Sequence, residues 1–214
     1  MFNTIKFINN SVSRVFNVDT LPLESLPNRA KGVLMLNTSQ ERFEGETPIE
    51  SKIDSDSAFI KWNAGSLSVS SSWNRCDKTG IWSRKDIVEN NSEQEIEIYG
   101  SVYRFAFASS EYEIYCQNSS WCSENQGEWQ PLAFGTTEVS CFGGRTCMGA
   151  APYMCLRDKE TKKGVIFNII PQGNWVIRVS KVLHNEEFLC VVELGLSDKN
   201  LKLKIRSGGK LELP

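Results

Sequence analysis

Histidine is nearly absent from this sequence: its 214 residues include only His184, which lies between two predicted strands. A cysteine–histidine hydrolase would need His184 beside a cysteine and an orienting carboxylate or amide, and no spacing in the chain indicates such an arrangement. We therefore expect His184 to be a solvent-exposed turn residue rather than a catalytic base. Imidazole chemistry is disfavoured as the basis of a function.

Long apolar runs and an excess of charge are also absent. No stretch of about 18 apolar residues occurs, and the N-terminus lacks the apolar core and the small-residue cleavage site of a secretory signal. The formal net charge is −2, and the lysines and arginines are scattered among acidic residues, so the sequence offers no basic face for a nucleic acid. We expect a soluble, cytoplasmic protein that binds neither nucleic acid nor a membrane.

The seven cysteines cannot all pair within one chain, and their spacings contain no C-x-x-C unit. Five residues lie between Cys116 and Cys122, and also between Cys141 and Cys147, and neither pair has a histidine partner, which is unlike a zinc site. We expect reduced and mostly buried thiols, with no metal and no cofactor. The glycines before Arg145 lack the G-K-[ST] ending of a phosphate-binding loop, so we interpret them as a turn that directs the Arg145 side chain.

Helical periodicity is missing, whereas polar and apolar residues alternate in many parts of the chain. No window keeps the helical period over three turns, because Gly, Asn or Pro interrupts the nearest candidates. The alternation predicts about ten to twelve short strands. The main candidates are residues 32–36, 58–62, 65–73, 95–99, 103–107, 112–116, 165–170, 174–182, 188–194 and 201–205. One open sheet of this size would leave both faces wet, so we predict an all-β fold of two antiparallel sheets packed face to face.

The chain is predicted to form one sandwich with an irregular beginning. Residues 1–57 mix Pro, Glu, Ser and Asn around one strand-like segment, so we expect an irregular N-terminal segment that adds one or two strands to the sandwich. Residues 58–214 alternate more regularly and are predicted to form the sandwich domain. The sequence ends on a strand without a polar tail, which is the pattern expected where a further domain follows.

Residues 121–152 have the most distinctive composition, with two tryptophans, three glutamates, five glycines, three amide side chains and one arginine. Flat rings cover the apolar side of a sugar and planar polar groups bind its hydroxyls, so this mixture is typical of a carbohydrate site. Trp121 and Trp129 lie in a predicted loop and are the candidate exposed platforms. Glu124 is a further candidate, although loop hydrogen bonding explains it equally well. Arg145 lies near the end of the same segment.

Several short motifs also follow one another in a characteristic order. They are T-G-I-W-S-R-K-D-I-V-E-N (79–90), S-S-E-Y-E-I-Y (109–115), W-C-S-E-N-Q (121–126), W-Q-P-L (129–132), G-G-R-T (143–146), A-P-Y (151–153) and P-Q-G-N-W (171–175). Over roughly residues 58–214 this order resembles the N-terminal domain of the α-galactosidases of glycoside hydrolase family 36. A co-linear set is far more specific than any one motif.

The resemblance implies an antiparallel two-sheet β-supersandwich, of the galactose-mutarotase-like type, that precedes a catalytic (β/α)8 barrel. That barrel would follow residue 214, and its two aspartates would hydrolyse terminal α-galactosides by a retaining double displacement. The chain is then inactive alone and contains no catalytic residue. Its implied partners are its own C-terminal barrel, α-galactosides bound by the full-length enzyme, and further copies in a homo-oligomer.

Three hypotheses remain open from the sequence. The chain is an accessory domain that supports the barrel, helps to build an oligomer and lends residues to the rim of the sugar pocket, with Trp121, Glu124, Trp129 and Arg145 as substrate-binding candidates. Alternatively, it is a stand-alone carbohydrate-binding module that uses the two tryptophans as platforms. The third hypothesis is a pure assembly domain, whose apolar barrel-facing surface would make the isolated chain self-associate.

Overall fold

The computed structural model describes residues 5–10, 13–18, 33–44, 48–107, 111–143, 149–171, 173–184 and 186–213. Within these ranges the chain forms eighteen strands and no helix, which confirms the predicted all-β fold. None of the described residues therefore belongs to a helix long and apolar enough to cross a membrane. His184 ends a strand, and Arg145 and Cys147 lie outside the described residues.

The strands are short and follow one another closely along the chain. They are β1 (Ile5–Asn10), β2 (Ser13–Val18), β3 (Val33–Thr38), β4 (Arg42–Glu44), β5 (Glu50–Ile53), β6 (Ser57–Ala64), β7 (Leu67–Arg75), β8 (Trp82–Asn90), β9 (Ile96–Phe107), β10 (Tyr112–Ser120), β11 (Ser123–Pro131), β12 (Gly135–Cys141), β13 (Tyr153–Asp158), β14 (Gly164–Asn168), β15 (Trp175–His184), β16 (Glu187–Leu196), β17 (Leu203–Ile205) and β18 (Lys210–Leu213).

Three sheets and one separate hairpin contain these strands. The largest sheet has seven strands, in the order β12-β15-β16-β9-β3-β4 with β17 also beside β9. A five-stranded sheet has the order β18-β8-β7-β6-β5, and a four-stranded sheet has the order β11-β10-β13-β14. Among the described strands, β1 pairs with β2 alone. Strands from the first 57 residues thus join both the seven-stranded and the five-stranded sheets, through β3, β4 and β5.

A row of aromatic side chains on β9 joins the sheets into a sandwich. Tyr103, Phe105 and Phe107 alternate along the strand and are buried on the same face. The ring of Phe105 lies 6.4 Å from that of Trp73 in the five-stranded sheet and 5.2 Å from that of Phe167 in the four-stranded sheet. Both smaller sheets therefore pack on the same face of the seven-stranded sheet. The fold is a sandwich of two layers, as predicted, but its second layer consists of two separate sheets.

Strand β9 also shows how pairing overrides a local sequence signal. The sequence predicts two strands here, at 95–99 and 103–107, because Gly100 and Ser101 interrupt the alternation. In the structure they form one twelve-residue strand, since Gly100 pairs with Asn37 of β3 and Ser101 pairs with Leu196 of β16. Neighbours on both sides hold the backbone extended where the sequence alone favours a turn.

The six cysteines that the structure describes are free, but fewer of them are buried than the sequence predicts. Cys141 and Cys190 are buried, whereas Cys76 and Cys122 are exposed. The exposed pair lies at chain reversals, after β7 and between β10 and β11 respectively, where side chains have no layer to pack against.

An ion pair is buried between the seven-stranded and five-stranded sheets. Asp86 of β8 is fully buried, and it accepts hydrogen bonds from the Ser71 hydroxyl and the Arg84 guanidinium. The Arg84 guanidinium also lies 3.7 Å from the centre of the Tyr103 ring. Burial lowers the pKa of Arg84 to about 9. Each charge depends on the other, because a single buried charge is far more costly than a buried pair.

We expect Asp86→Asn to lower the free energy of unfolding by about 3–5 kcal/mol, because it leaves the Arg84 charge buried without its partner. The matched control is Glu212→Gln, which removes the partner of Lys85 from an exposed ion pair on the neighbouring strand and should cost at most about 1 kcal/mol. Denaturant unfolding of the two variants and the wild-type chain measures the difference. Equal losses in the two variants would show that the buried pair is not needed.

Candidate functional site

The segment with the predicted sugar site begins with a β-hairpin rather than a loop. Strands β10 and β11 pair antiparallel from Glu113 opposite Pro131 to Ser120 opposite Ser123, and a two-residue turn with Cys122 at φ 60° joins them. The prediction that Trp121 and Trp129 share a loop is therefore wrong for Trp129. Every residue of β11 is exposed, so the strand lacks the polar–apolar alternation that reveals a half-buried strand in a sequence.

Strand β11 is an edge strand with two features that limit further pairing. The Leu132 N–H donates to the Tyr112 carbonyl. Successive N–H groups of a strand point to opposite sides, so an N–H at position 131 would point away from β10. Proline, which has no N–H, therefore costs no hydrogen bond between the two strands. Near the turn, Asn125 has φ 55° and its N–H donates to the Ser119 hydroxyl, which marks a bulge. Proline and bulges are common protections of sheet edges.

The structure separates Trp121 from Trp129, two of the residues that the sequence grouped as one sugar site. Trp121 is 92% exposed at the hairpin turn, and Glu124 is exposed one residue into β11. Trp129 lies six residues from the turn end of β11, or roughly 20 Å along the strand. Arg145 lies outside the described residues. Trp121 and Trp129 therefore cannot act on one sugar ring, and only Trp129 lies within a cluster of aromatic side chains.

That cluster crosses the outer face of the four-stranded sheet. Pairing places Trp129 of β11 opposite Tyr115 of β10, Tyr115 opposite Cys155 of β13, and Cys155 opposite Ile166 of β14. Tyr153 lies two residues from Cys155 on the same face. The Tyr115 ring is 5.6 Å from Trp129 and 6.5 Å from Tyr153, centre to centre. We call Trp129, Tyr115, Tyr153 and Ile166 the aromatic band.

Glycine at position 127 permits this arrangement. A Cβ atom there would lie 2.4 Å from the Cys116 carbonyl oxygen, which is closer than packed atoms tolerate, and 3.0 Å from the Tyr115 ring, which is a tight contact. The Tyr115 side chain can therefore lie across β11 and reach Trp129. The sequence does not indicate that Tyr115 and Tyr153 belong to this cluster, because single tyrosines in strand-like segments do not reveal which strands become neighbours.

A chain of charged groups holds Trp129. The Arg157 guanidinium lies 3.6 Å from the centre of the Trp129 ring, and its Nε is 2.7 Å from a Glu113 carboxylate oxygen. Lys162 donates to the same oxygen at 3.0 Å. The hydrogen bonds from Lys162 and Arg157 lower the pKa of Glu113. A general acid in glycoside hydrolysis needs the opposite shift, so Glu113 is suited to positioning rather than to proton transfer.

Neutral polar groups lie on the other side of the band. The Gln117 amide nitrogen donates to the Tyr115 hydroxyl at 3.0 Å, and exposed Asn168 pairs with Tyr153 across β13 and β14. Burial, together with the nearby Tyr115, raises the pKa of the Tyr153 hydroxyl, which therefore stays protonated and can donate a hydrogen bond at neutral pH. Among the described residues, no group of three or more His, Cys, Asp or Glu is arranged to hold a metal ion.

Comparison with known proteins identifies the fold. No protein-family model and no curated protein matches the chain. Among solved structures, 92% of the chain matches the galactosidase domain of the α-galactosidase–sucrose kinase AgaSK, with a TM-score of 0.74 and 16% identity. It also matches the family 36 α-galactosidase AgaA A355E D548N from Geobacillus stearothermophilus in complex with raffinose, over 90% of the chain, with a TM-score of 0.71 and 14% identity. The fold is that of one part of these α-galactosidases.

The matching region is a minor part of each enzyme. The chain spans 31% of the AgaSK structure and 30% of the AgaA structure, less than a third of either. A polysaccharide lyase also matches the whole chain, with a TM-score of 0.52 and 11% identity, and 32% of its length is covered. The similarity of the fold thus supports the resemblance to family 36 α-galactosidases that the order of the motifs indicates.

We expect replacements of Arg157 to separate its charge from its planar shape. Arg157→Met should raise the pKa of Glu113 toward its usual range, whereas Arg157→Lys should keep that pKa lower, and both should shift the Trp129 indole N–H resonance because stacking is lost. In the wild-type chain the attraction of the Glu113 carboxylate to Lys162 and Arg157 stabilises the fold at neutral pH. This stabilisation is lost as the pH falls through the lowered pKa of Glu113. Carboxyl and indole NMR titrations measure these effects. An unchanged indole resonance in both variants would contradict the stacking.

Proposed function

We propose that the chain is the N-terminal, non-catalytic β-sandwich of an α-galactosidase-like glycoside hydrolase. The observation that carries the proposal is the match of 92% of the chain to 31% of an α-galactosidase structure. The co-linear motifs between residues 79 and 175 also support it, because a set in this order is far more specific than any one motif. Catalysis by the full-length enzyme, with terminal α-galactosides as substrates, would then belong to a barrel beyond these residues.

An exposed apolar patch supports a role in packing against that barrel. Leu183 and Phe188 pair across β15 and β16 on the side of the seven-stranded sheet that carries the core, yet both are exposed. The exposed Phe134 ring lies 6.0 Å from that of Phe188. We call these three residues the corner patch, and we propose that the catalytic barrel covers it. Exposed apolar clusters of this kind commonly mark interfaces.

The remaining candidate residues suit a supporting role at a sugar pocket. Trp121 extends from the turn of an exposed hairpin, and Glu124 lies beside it on β11. A side chain in this position can contact a neighbouring domain or subunit without any change in the sandwich. We propose that Trp121, Glu124 and Arg145 contribute to the rim of the pocket in the assembled enzyme, which would be a homo-oligomer in the cytoplasm.

The isolated chain should not hydrolyse an aryl α-galactoside, because it would lack the two barrel aspartates. The measurement is release of the aryl group by the purified 214-residue chain, with a full-length family 36 enzyme as the positive control. Turnover that a single substitution within this chain abolishes would overturn the non-catalytic assignment.

The corner patch should also make the isolated chain self-associate. We expect Phe134→Ser combined with Leu183→Ser to shift the association to at least tenfold higher concentration, because it removes apolar surface that water must otherwise cover. The matched control is Ile81→Ser, since Ile81 is similarly exposed but lies in a turn before β8. Light scattering over a concentration series measures the effect. A wild-type chain that stays monomeric at all concentrations would count against the patch as an interface.

A further inference from the structure

We propose that the outer face of the four-stranded sheet binds a neutral oligosaccharide, with the aromatic band as its platform. This function goes beyond support of a catalytic barrel, because it requires only residues of the present chain. It differs from the sequence hypothesis in its location: Trp129 acts with Tyr115 and Tyr153, and Trp121 takes no part.

The band has the dimensions of an extended ligand. It crosses all four strands of the sheet, from Trp129 on one edge to Ile166 on the other. Neighbouring strands are about 4.8 Å apart, so the three steps between them span roughly 14 Å. This length exceeds one sugar ring, which favours an oligosaccharide over a monosaccharide.

The band is open to solvent, unlike a small internal core. Trp129 is 38% exposed and Ile166 is 68% exposed, while Tyr115 and Tyr153 are half-buried between them. The opposite face of the same strands is packed into the main core, where Met154 and Leu156 are fully buried. The sheet therefore has apolar residues on both faces, although only one face has a partner layer among the described residues. An outer face without a function would be expected to be polar.

The rings are held in place before any ligand binds. Arg157 stacks on one side of Trp129, and Glu113 fixes Arg157. The Tyr115 and Tyr153 rings are inclined to each other by only 24°. Side chains that are already ordered lose little conformational entropy on binding, which favours affinity for a weakly interacting ligand such as a sugar.

The polar groups beside the band determine the class of ligand. The Glu113 carboxylate is already bound by Arg157 and Lys162, so its charge is compensated within the chain. The uncharged polar groups next to the rings are the tyrosine hydroxyls and the amides of Gln117 and Asn168, with the Gln117 amide nitrogen donating to the Tyr115 hydroxyl. Hydroxyls and amides both donate and accept hydrogen bonds, as sugar hydroxyls require. An uncharged ligand with apolar ring faces and many hydroxyls matches this surface better than an acidic one.

The test is titration of the ¹⁵N-labelled chain with stachyose, and with maltotriose as a second neutral oligosaccharide. We expect chemical-shift changes in β10, β11, β13 and β14 that saturate with sugar concentration. Trp129→Ala should weaken binding at least tenfold, because it removes the largest ring of the band. Phe142→Ala is the control, because it removes a similarly exposed ring that follows β12, outside the four-stranded sheet, and it should change the affinity less than twofold. Tyr153→Phe keeps the ring, removes one hydroxyl and should give an intermediate loss.

Several outcomes would overturn the proposal. One is the absence of saturable shifts in the wild-type chain with either sugar at millimolar concentration, a result that does not depend on any variant folding correctly. Another is equal binding by the Trp129→Ala and wild-type chains. If the wild-type chain binds no sugar and the Trp129→Ala substitution abolishes its self-association, the face is a protein-docking surface instead. None of these results bears on α-galactoside hydrolysis, so the proposed accessory function stands or falls separately.

Discussion

Packing of Phe105 against two different sheets is the interaction on which the whole arrangement depends. Its ring touches Trp73 on one side and Phe167 on the other, so one residue of β9 joins the five-stranded and four-stranded sheets to the same surface. Burial of such a side chain contributes about 1.5–3 kcal/mol. The larger effect is geometric, because two separate small sheets become one continuous layer over a common core.

The same packing explains why the β10–β11 hairpin projects from the sandwich. Tyr112 and Ile114 at the start of β10 are buried in the core, whereas residues after Cys116 become increasingly exposed. Strand β11 pairs with β10, but every one of its residues stays exposed. The hairpin is therefore anchored by its base, and near its turn the Ser119 N–H also donates to the Gly149 carbonyl while Asn118 forms a bridge with Ala150. Its inner part holds Trp129 beside the ordered sheet, while its turn presents Trp121 to solvent.

Sequence reasoning succeeded where each strand has one buried face and failed where it does not. The alternation in β6, β7, β15 and β16 follows from their contact with the core, and it predicted both strands and fold class. Strand β11 has no buried face and so gave no signal. The Arg84–Asp86 pair and the Trp129–Tyr115–Tyr153 cluster depend on contacts between strands that are distant in sequence. Spacing along the chain cannot reveal such contacts, because register across a sheet decides which side chains meet.

The two proposed surfaces are related by the layer arrangement. Phe188 lies two residues before buried Cys190 on β16, so it shares the face of the seven-stranded sheet that packs on the two smaller sheets. Leu183 is paired with Phe188 and lies on the same face. The aromatic band lies on the outer face of that second layer, so the corner patch and the band point to the same side of the sandwich. A barrel docked on the corner patch would then lie on the same side of the sandwich as an oligosaccharide held on the band. The sandwich could thus serve both as a support for a catalytic domain and as a holding surface for its substrate, through different residues of the same side.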